Sequence, residues 1–330
     1  MEKLLFSQGE FCDILEKRKG AVRMSIDMLQ DKIRKMKNPS MLGLDPTADL
    51  IPEWLLRQSY EKFGKTPEAL ADAYVRFCSE ILHALRETVP AVKVQSACFE
   101  VLGAAGVSVM HKLMAEAQEM GYYVVLDSMR GDAPHIAQLM ADSVFGGKTA
   151  DTLPESPWAC DSITLNGYLG SDSVKPFLPY CTDGGKSVFV LVKTSNKSGR
   201  EVQDLISGDR VVHTAMSDLI MRWSGTKSGK FGYAPVGAVM PATDARALTF
   251  MRKRYDRMFF LIAGYGAQGG IARHAACGFD EFGHGAVVSA SRSILGAWKK
   301  EGEDGSRFAE SALEAAVKMK KDLAKFVTVI

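Results

Sequence analysis

The chain has 330 residues, 46% of them hydrophobic and 24% charged, the balance of a globular protein with a large buried core. A formal net charge of +2, with Lys and Arg spread along the chain, argues against a nucleic-acid or acidic-membrane partner. No apolar run approaches the roughly eighteen residues needed to span a bilayer, and the N-terminal stretch turns acidic too soon for a signal peptide, so a cytoplasmic location is expected. The cysteines at Cys12, Cys78, Cys98, Cys160, Cys181 and Cys277 show no C-x-x-C pair, which fits free thiols in a reducing compartment.

Residues 8–37 have the composition of a leading helix. Eight short apolar runs follow, at Met41–Leu44, Ala91–Val94, Tyr122–Leu126, Ser162–Leu165, Ser187–Val192, Val236–Met240, Met258–Ile262 and Gly285–Val288. Helical composition lies between them, as at Pro67–Val89, Val107–Met120, Arg200–Trp223 and Ala242–Arg254, and Arg307–Lys325 is expected as a closing helix. Strands alternating with helices build parallel βαβ units, and eight such units close a (β/α)8 TIM barrel of the α/β class. Without a Pro-, Gly- or Ser-rich linker, one domain is expected over 1–330: a helical extension at 1–40, the barrel at 41–298 and a closing helix at 299–330.

Polar residues collect where these strands end, which in a barrel is the rim that carries active sites. Asp45 follows the first strand and Lys93 lies in the second. The third ends in Asp127-Ser128-Met129-Arg130-Gly131-Asp132, and Asn166 follows the fourth. Asp45, Lys93, Asp127 and Asp132 form an alternating charge set, either a salt-bridge network or a polar floor that holds hydroxyls and presses on a substrate's charge. Lys193-Thr194-Ser195-Asn196 follows the fifth strand. A glycine-rich loop containing Gln268 and Gly269 follows the seventh, and Ser291-Arg292 the eighth. Glycines let backbone N–H groups approach an anion, and an Arg can fork onto phosphate oxygens, so these last two loops are a candidate phosphate site. His83, His111, His213, His274 and His284 show no ligand spacing; His135 stands apart by lying near Asp132, and no metal is expected.

Together these motifs resemble the orotidine 5'-phosphate decarboxylase family in its longer bacterial form. The resemblance runs in order from Met41-Leu42-Gly43-Leu44-Asp45-Pro46 through Ala91-Val92-Lys93 with Gln95, then Thr164-Leu165-Asn166-Gly167-Tyr168-Leu169-Gly170-Ser171-Asp172-Ser173 and Val190-Leu191-Val192-Lys193-Thr194-Ser195-Asn196. It ends with Gly264-Tyr265-Gly266-Ala267-Gln268-Gly269-Gly270 and Ser291-Arg292. The resemblance implies decarboxylation of orotidine 5'-phosphate to UMP, with no cofactor and no metal, by a homodimer with shared active sites. Asp45 and Lys93 would hold the ribose hydroxyls, and Ser195, beside Thr194, would contact the pyrimidine. Gln268, Gly269 and Arg292 would grip the 5'-phosphate. Asp127 would press on the substrate carboxylate, and Asp132 would reach into the partner subunit's site.

Where the family's Asp-x-Lys-x-x-Asp motif places its catalytic Lys, this chain has Met129, which offers neither a proton nor a positive charge. Ile136 takes the place of a hydroxyl expected near the ribose, and Pro241-Ala242-Thr243 stands for a family Gly-Ala-Thr. Loss of a positioned general acid costs roughly 10²–10⁴-fold, so weak or absent turnover is expected. Two alternatives stay open: a catalytically dead paralogue that still binds pyrimidine nucleotides, and a family member re-purposed for another phosphorylated substrate, with His135 or Lys193 doing the acid–base work.

Overall fold

The structure is a computed structural model that describes residues 23–146, 158–183, 185–301 and 304–330. Eight parallel strands close into a barrel: β1 (Ser40–Leu44), β2 (Ala91–Gln95), β3 (Tyr123–Arg130), β4 (Ser162–Leu165), β5 (Ser187–Leu191), β6 (Val236–Pro241), β7 (Phe260–Ala263) and β8 (Ala286–Ala290). Each strand pairs with its neighbour in sequence, and β8 returns to β1 through Ser40↔Val288 and Leu42↔Ala290. Every residue of β1, β4, β6 and β8 is buried. Burial on both faces is why β1, β6 and β8 are largely apolar and not alternating, while β4, Ser-Ile-Thr-Leu, alternates and still buries its Ser162 and Thr164.

The surrounding helices carry their own start signals. Thr66 accepts the Ala69 N–H at 3.3 Å and Pro67 sits in the first turn of the helix Pro67–Leu85, where a missing N–H leaves no gap. That helix buries Phe77, whose ring lies 4.9 Å from Phe308 of the closing helix Phe308–Ala324. The helix Ser25–Met36 buries Ile26, Leu29 and Ile33. Its Ser25 hydroxyl lies 2.7 Å from the Tyr123 hydroxyl at the start of β3 and donates to the Asp161 carbonyl just before β4. It therefore covers the N-terminal mouth of the barrel and leaves the C-terminal end open. Residues 8–22 of the expected leading helix lie outside the described residues, as does Cys12. Among the described residues, no helix is long and apolar enough to cross a membrane.

Two expectations need correction. The segment expected as one helix over Arg200–Trp223 is a short helix Arg200–Gln203, a hairpin pairing Ile206–Ser207 with Arg210–Val211, and a helix Val212–Ser224. Gly208 makes the break: the two-residue hairpin turn needs a positive φ, here +66°, and only glycine adopts it freely. Leu205 and Ile206 are exposed, so their apolar character does not mark a buried helix face. The third strand also runs further than the expected Tyr122–Leu126, carrying Asp127 and Met129 within it.

Candidate active site

The open end of the barrel holds a cavity of about 340 Å³. Its walls come from every strand: Asp45 after β1, Lys93 and Gln95 on β2, Asp127 and Met129 on β3, and Thr164 on β4. Lys193 to Asn196 follow β5, Pro241 ends β6, Gly264, Ala267 and Gln268 follow β7, and Arg292 follows β8. Gly43 lets β1 approach the loop after β8 so closely that a Cβ there would meet the Ser291 Cβ at 2.8 Å.

The half of the cavity built by β1 to β4 is a charged floor. Alternate residues of a strand share a face, so Lys93 and Gln95 point the same way, and the register sets Gln95 beside Asp127. The Lys93 ammonium donates to Asp127 Oδ2 and lies 3.5 Å from Asp45 Oδ1. Gln95 Nε2 donates to the same Asp127 oxygen at 3.2 Å, and Thr164 Oγ1 donates to Asp127 Oδ1 at 2.7 Å. Burial alone would push the Lys93 ammonium down; the Asp127 and Asp45 carboxylates outweigh it and hold its pKa above the ordinary value. Cys98, just past β2, has its thiol pushed up to about 11, first by burial and then by the Asp45 charge, and is a poor nucleophile at neutral pH.

Met129 enters this floor through an irregularity in the sheet. The β3–β4 register passes from Leu126↔Ile163 to Arg130↔Leu165, so β3 carries extra residues against β4. Within that bulge Met129 has φ +46°, uncommon for a residue with a side chain. Its N–H donates to Thr164 Oγ1 at 3.0 Å, the same hydroxyl that serves Asp127. Met129, 37% exposed, lines the same cavity as Asp127.

The β5, β7 and β8 side gathers Ser195, Gln268 and Arg292. The Ser195 hydroxyl donates to Gln268 Oε1, and the positive φ of Gly264 (+87°) lets the loop pass close to both residues. Gly269, also at positive φ, commits its N–H to the Gly266 carbonyl at 2.8 Å and does not line the cavity. The N–H groups of Ala267 and Gln268 have no backbone acceptor among the described residues and are free to meet a ligand. Arg292 opens the short helix Arg292–Leu295 and is exposed; among the described residues it has no ion-pair partner.

The remaining candidates sort by place. Thr194 is pinned by Gln203, which accepts its N–H at 3.0 Å and donates to its hydroxyl at 2.8 Å. Lys193 borders the cavity, but its ammonium is taken by Asp204 at 2.6 Å and Asp244 at 3.2 Å. Asp132 is exposed, accepts the Ala133 N–H at 2.7 Å and does not line the cavity of its own chain. His135 is exposed on the first turn of the helix Pro134–Phe145, away from this cavity. Among the described residues, no group of three or more His, Cys, Asp or Glu is placed to hold a metal ion. Sequence reasoning assigned no role to Thr164, Asp204 or Asp244. Only Asp244 carried a legible signal, since it precedes a helix and caps it by accepting the Ala247 N–H at 3.0 Å.

With this geometry in hand, comparison with known proteins is decisive. The family model described as orotidine 5'-phosphate decarboxylase / HUMPS family matches residues 41–303. The chain belongs to this family. An orotidine 5'-phosphate decarboxylase of Rhodopirellula baltica is 35% identical over 299 residues, covering 89% of this chain and 97% of the relative. One from Clostridium perfringens is 34% identical over 305 residues, covering 92% and 99%. Among solved structures, Leishmania donovani OMP decarboxylase superposes with a TM-score of 0.70 at 27% identity, covering 92% of this chain and 98% of that one. The eight-stranded barrel is thus the barrel of these decarboxylases, which are carboxy-lyases.

Proposed function

We propose that the cavity binds orotidine 5'-phosphate and UMP, and that decarboxylation proceeds here with a severely weakened proton-donating step. The observation that carries this reading is a single cavity lined by Ser195, Gln268 and Arg292 on one side and by Asp127 and Met129 on the other. In this reading Arg292, Gln268 and the free N–H groups of the β7 loop take the 5'-phosphate, and Ser195 faces the pyrimidine. Asp45 and Lys93 take the ribose hydroxyls. Asp127 lies against the substrate carboxylate, whose departure as carbon dioxide leaves an electron pair at C6 of the ring. That carbanion needs a cation beside it and a proton. Met129 supplies neither, and Lys93 is a reluctant donor because two carboxylates hold its ammonium in place. Water is left to deliver the proton, at a cost of roughly 10²–10⁴-fold in rate.

The exposed placement of Asp132 fits a residue that completes the site of a second copy, and we place the chain as a homodimer with shared sites in the cytoplasm. A non-catalytic nucleotide-binding role is the second reading; the lining position of Met129 favours it. Decarboxylation of orotidine 5'-phosphate by the native protein, measured beside Met129→Lys, separates the two. Slow native turnover that rises at least about a hundredfold in the variant supports the first. Nucleotide binding with no turnover in either protein supports the second. Rapid native turnover would refute the role given to Met129.

A further inference from the structure

The cavity is charged unevenly. On its floor, two carboxylates, Asp45 and Asp127, face one ammonium, Lys93, so that half keeps an excess of negative charge. Lys193 gives no relief, because Asp204 and Asp244 hold its ammonium at 2.6 Å and 3.2 Å. Arg292 is the lining cation without an ion pair among the described residues, and it stands beside the β7 loop with its free N–H groups. Met129, Val239, Met240, Pro241 and Leu261 add an apolar lining to the same cavity.

One anion is therefore welcome in this cavity and a second is not. Resting on the nucleotide reading above, we propose that the site selects a pyrimidine nucleoside 5'-monophosphate with an uncharged ring, UMP, over orotidine 5'-phosphate, whose ring carries a carboxylate. The phosphate of either ligand meets Arg292. A carboxylate on the ring meets Asp127 with every hydrogen-bonding neighbour of that aspartate, Lys93, Gln95 and Thr164, already engaged. Beside it stands a thioether that cannot screen the repulsion. An uncharged ring packs against the same thioether and the apolar wall without loss. Selectivity arises from a repulsive element, not from an added contact.

Calorimetric titration of the full-length native protein tests this with three ligands: UMP, orotidine 5'-phosphate, and UMP bearing a neutral carboxamide at C6. The carboxamide matches the carboxylate in size and lacks its charge. UMP and the carboxamide are expected to bind at least about tenfold more tightly than orotidine 5'-phosphate. In Met129→Lys, which turns orotidine 5'-phosphate over, the gap between its KM for that ligand and the UMP inhibition constant is expected to be about tenfold narrower, because a cation is restored to the cavity that Asp127 lines. Orotidine 5'-phosphate binding as tightly as UMP would overturn the selectivity and leave the nucleotide reading standing. A carboxamide as weak as the carboxylate would also overturn it, since size and not charge would then discriminate. If none of the three binds, the nucleotide reading itself falls and the selectivity with it.

Discussion

Two lysines of this barrel are each held between two aspartates, in different settings. Lys93 projects from a central strand, and its partner Asp127 on the next strand is almost wholly buried. Lys193 follows β5, and its partners Asp204 and Asp244 belong to loop segments and keep a third of their side-chain surface in water. The first cluster is part of the barrel wall, with the β2–β3 pairing fixing Lys93 and Asp127 in register. The second ties two successive connections together at the rim and holds the segment that presents Thr194 and Ser195. The same charge pattern thus serves the cavity floor in one place and loop positioning in the other.

Removing each lysine is the direct way to break this comparison, and the floor should respond most. Lys93→Met leaves Asp127 buried with no cation, and loss of one partner from a buried pair costs about 3–5 kcal/mol. The midpoint of urea unfolding at neutral pH should fall accordingly; a change below about 1 kcal/mol would show that Asp127 shares its charge with water or takes up a proton. Thr164→Val tests the same floor more gently. It removes the hydroxyl that donates to Asp127 and accepts from the Met129 N–H, leaving both without that partner. The expected loss is about 1–3 kcal/mol, and UMP affinity should weaken as the Met129 bulge loosens. Unchanged affinity would mean that the bulge is held by the strand alone.

The strands were legible because burial makes most of them short, largely apolar runs bounded by polar or turn residues: Ser162–Leu165 was read to the residue, and the others within a few positions. The floor was legible because its charges interrupt or follow otherwise apolar strand segments: Lys93 within β2, Asp127 within β3 and Asp45 just after β1. The bulge at Met129 was not, since it depends on how β3 and β4 slide in register, and no local pattern records that. The partners of Lys193 were hidden for a similar reason. Asp204 lies in a segment whose apolar residues, Val202, Leu205 and Ile206, suggested a helix, whereas all three are exposed around a hairpin. Residues brought together by topology alone, such as Lys193 and Asp244 from successive strand ends, leave no trace in local spacing.

Lys193→Met sharpens the comparison from the rim side. Both carboxylates stay partly solvated when the cation is lost, so the stability cost should be only about 1 kcal/mol, far below that at the floor. Its pH dependence identifies the source. The Lys193 ammonium is the main cause that holds the Asp204 carboxyl below the ordinary value. Burial pushes Asp244 up, but the Ala247 N–H and Lys193 bring it below the ordinary value as well. A carboxylate with a depressed folded-state pKa contributes stability that is present above its unfolded value, near pH 4, and is lost as the pH falls through the folded value. In Lys193→Met most of that contribution is already gone. The gap in urea midpoint between native and variant should therefore shrink as the pH falls below about 4. A gap that persists undiminished into acid would mean that Lys193 stabilises the rim through the packing of its methylene stem and not through its charge.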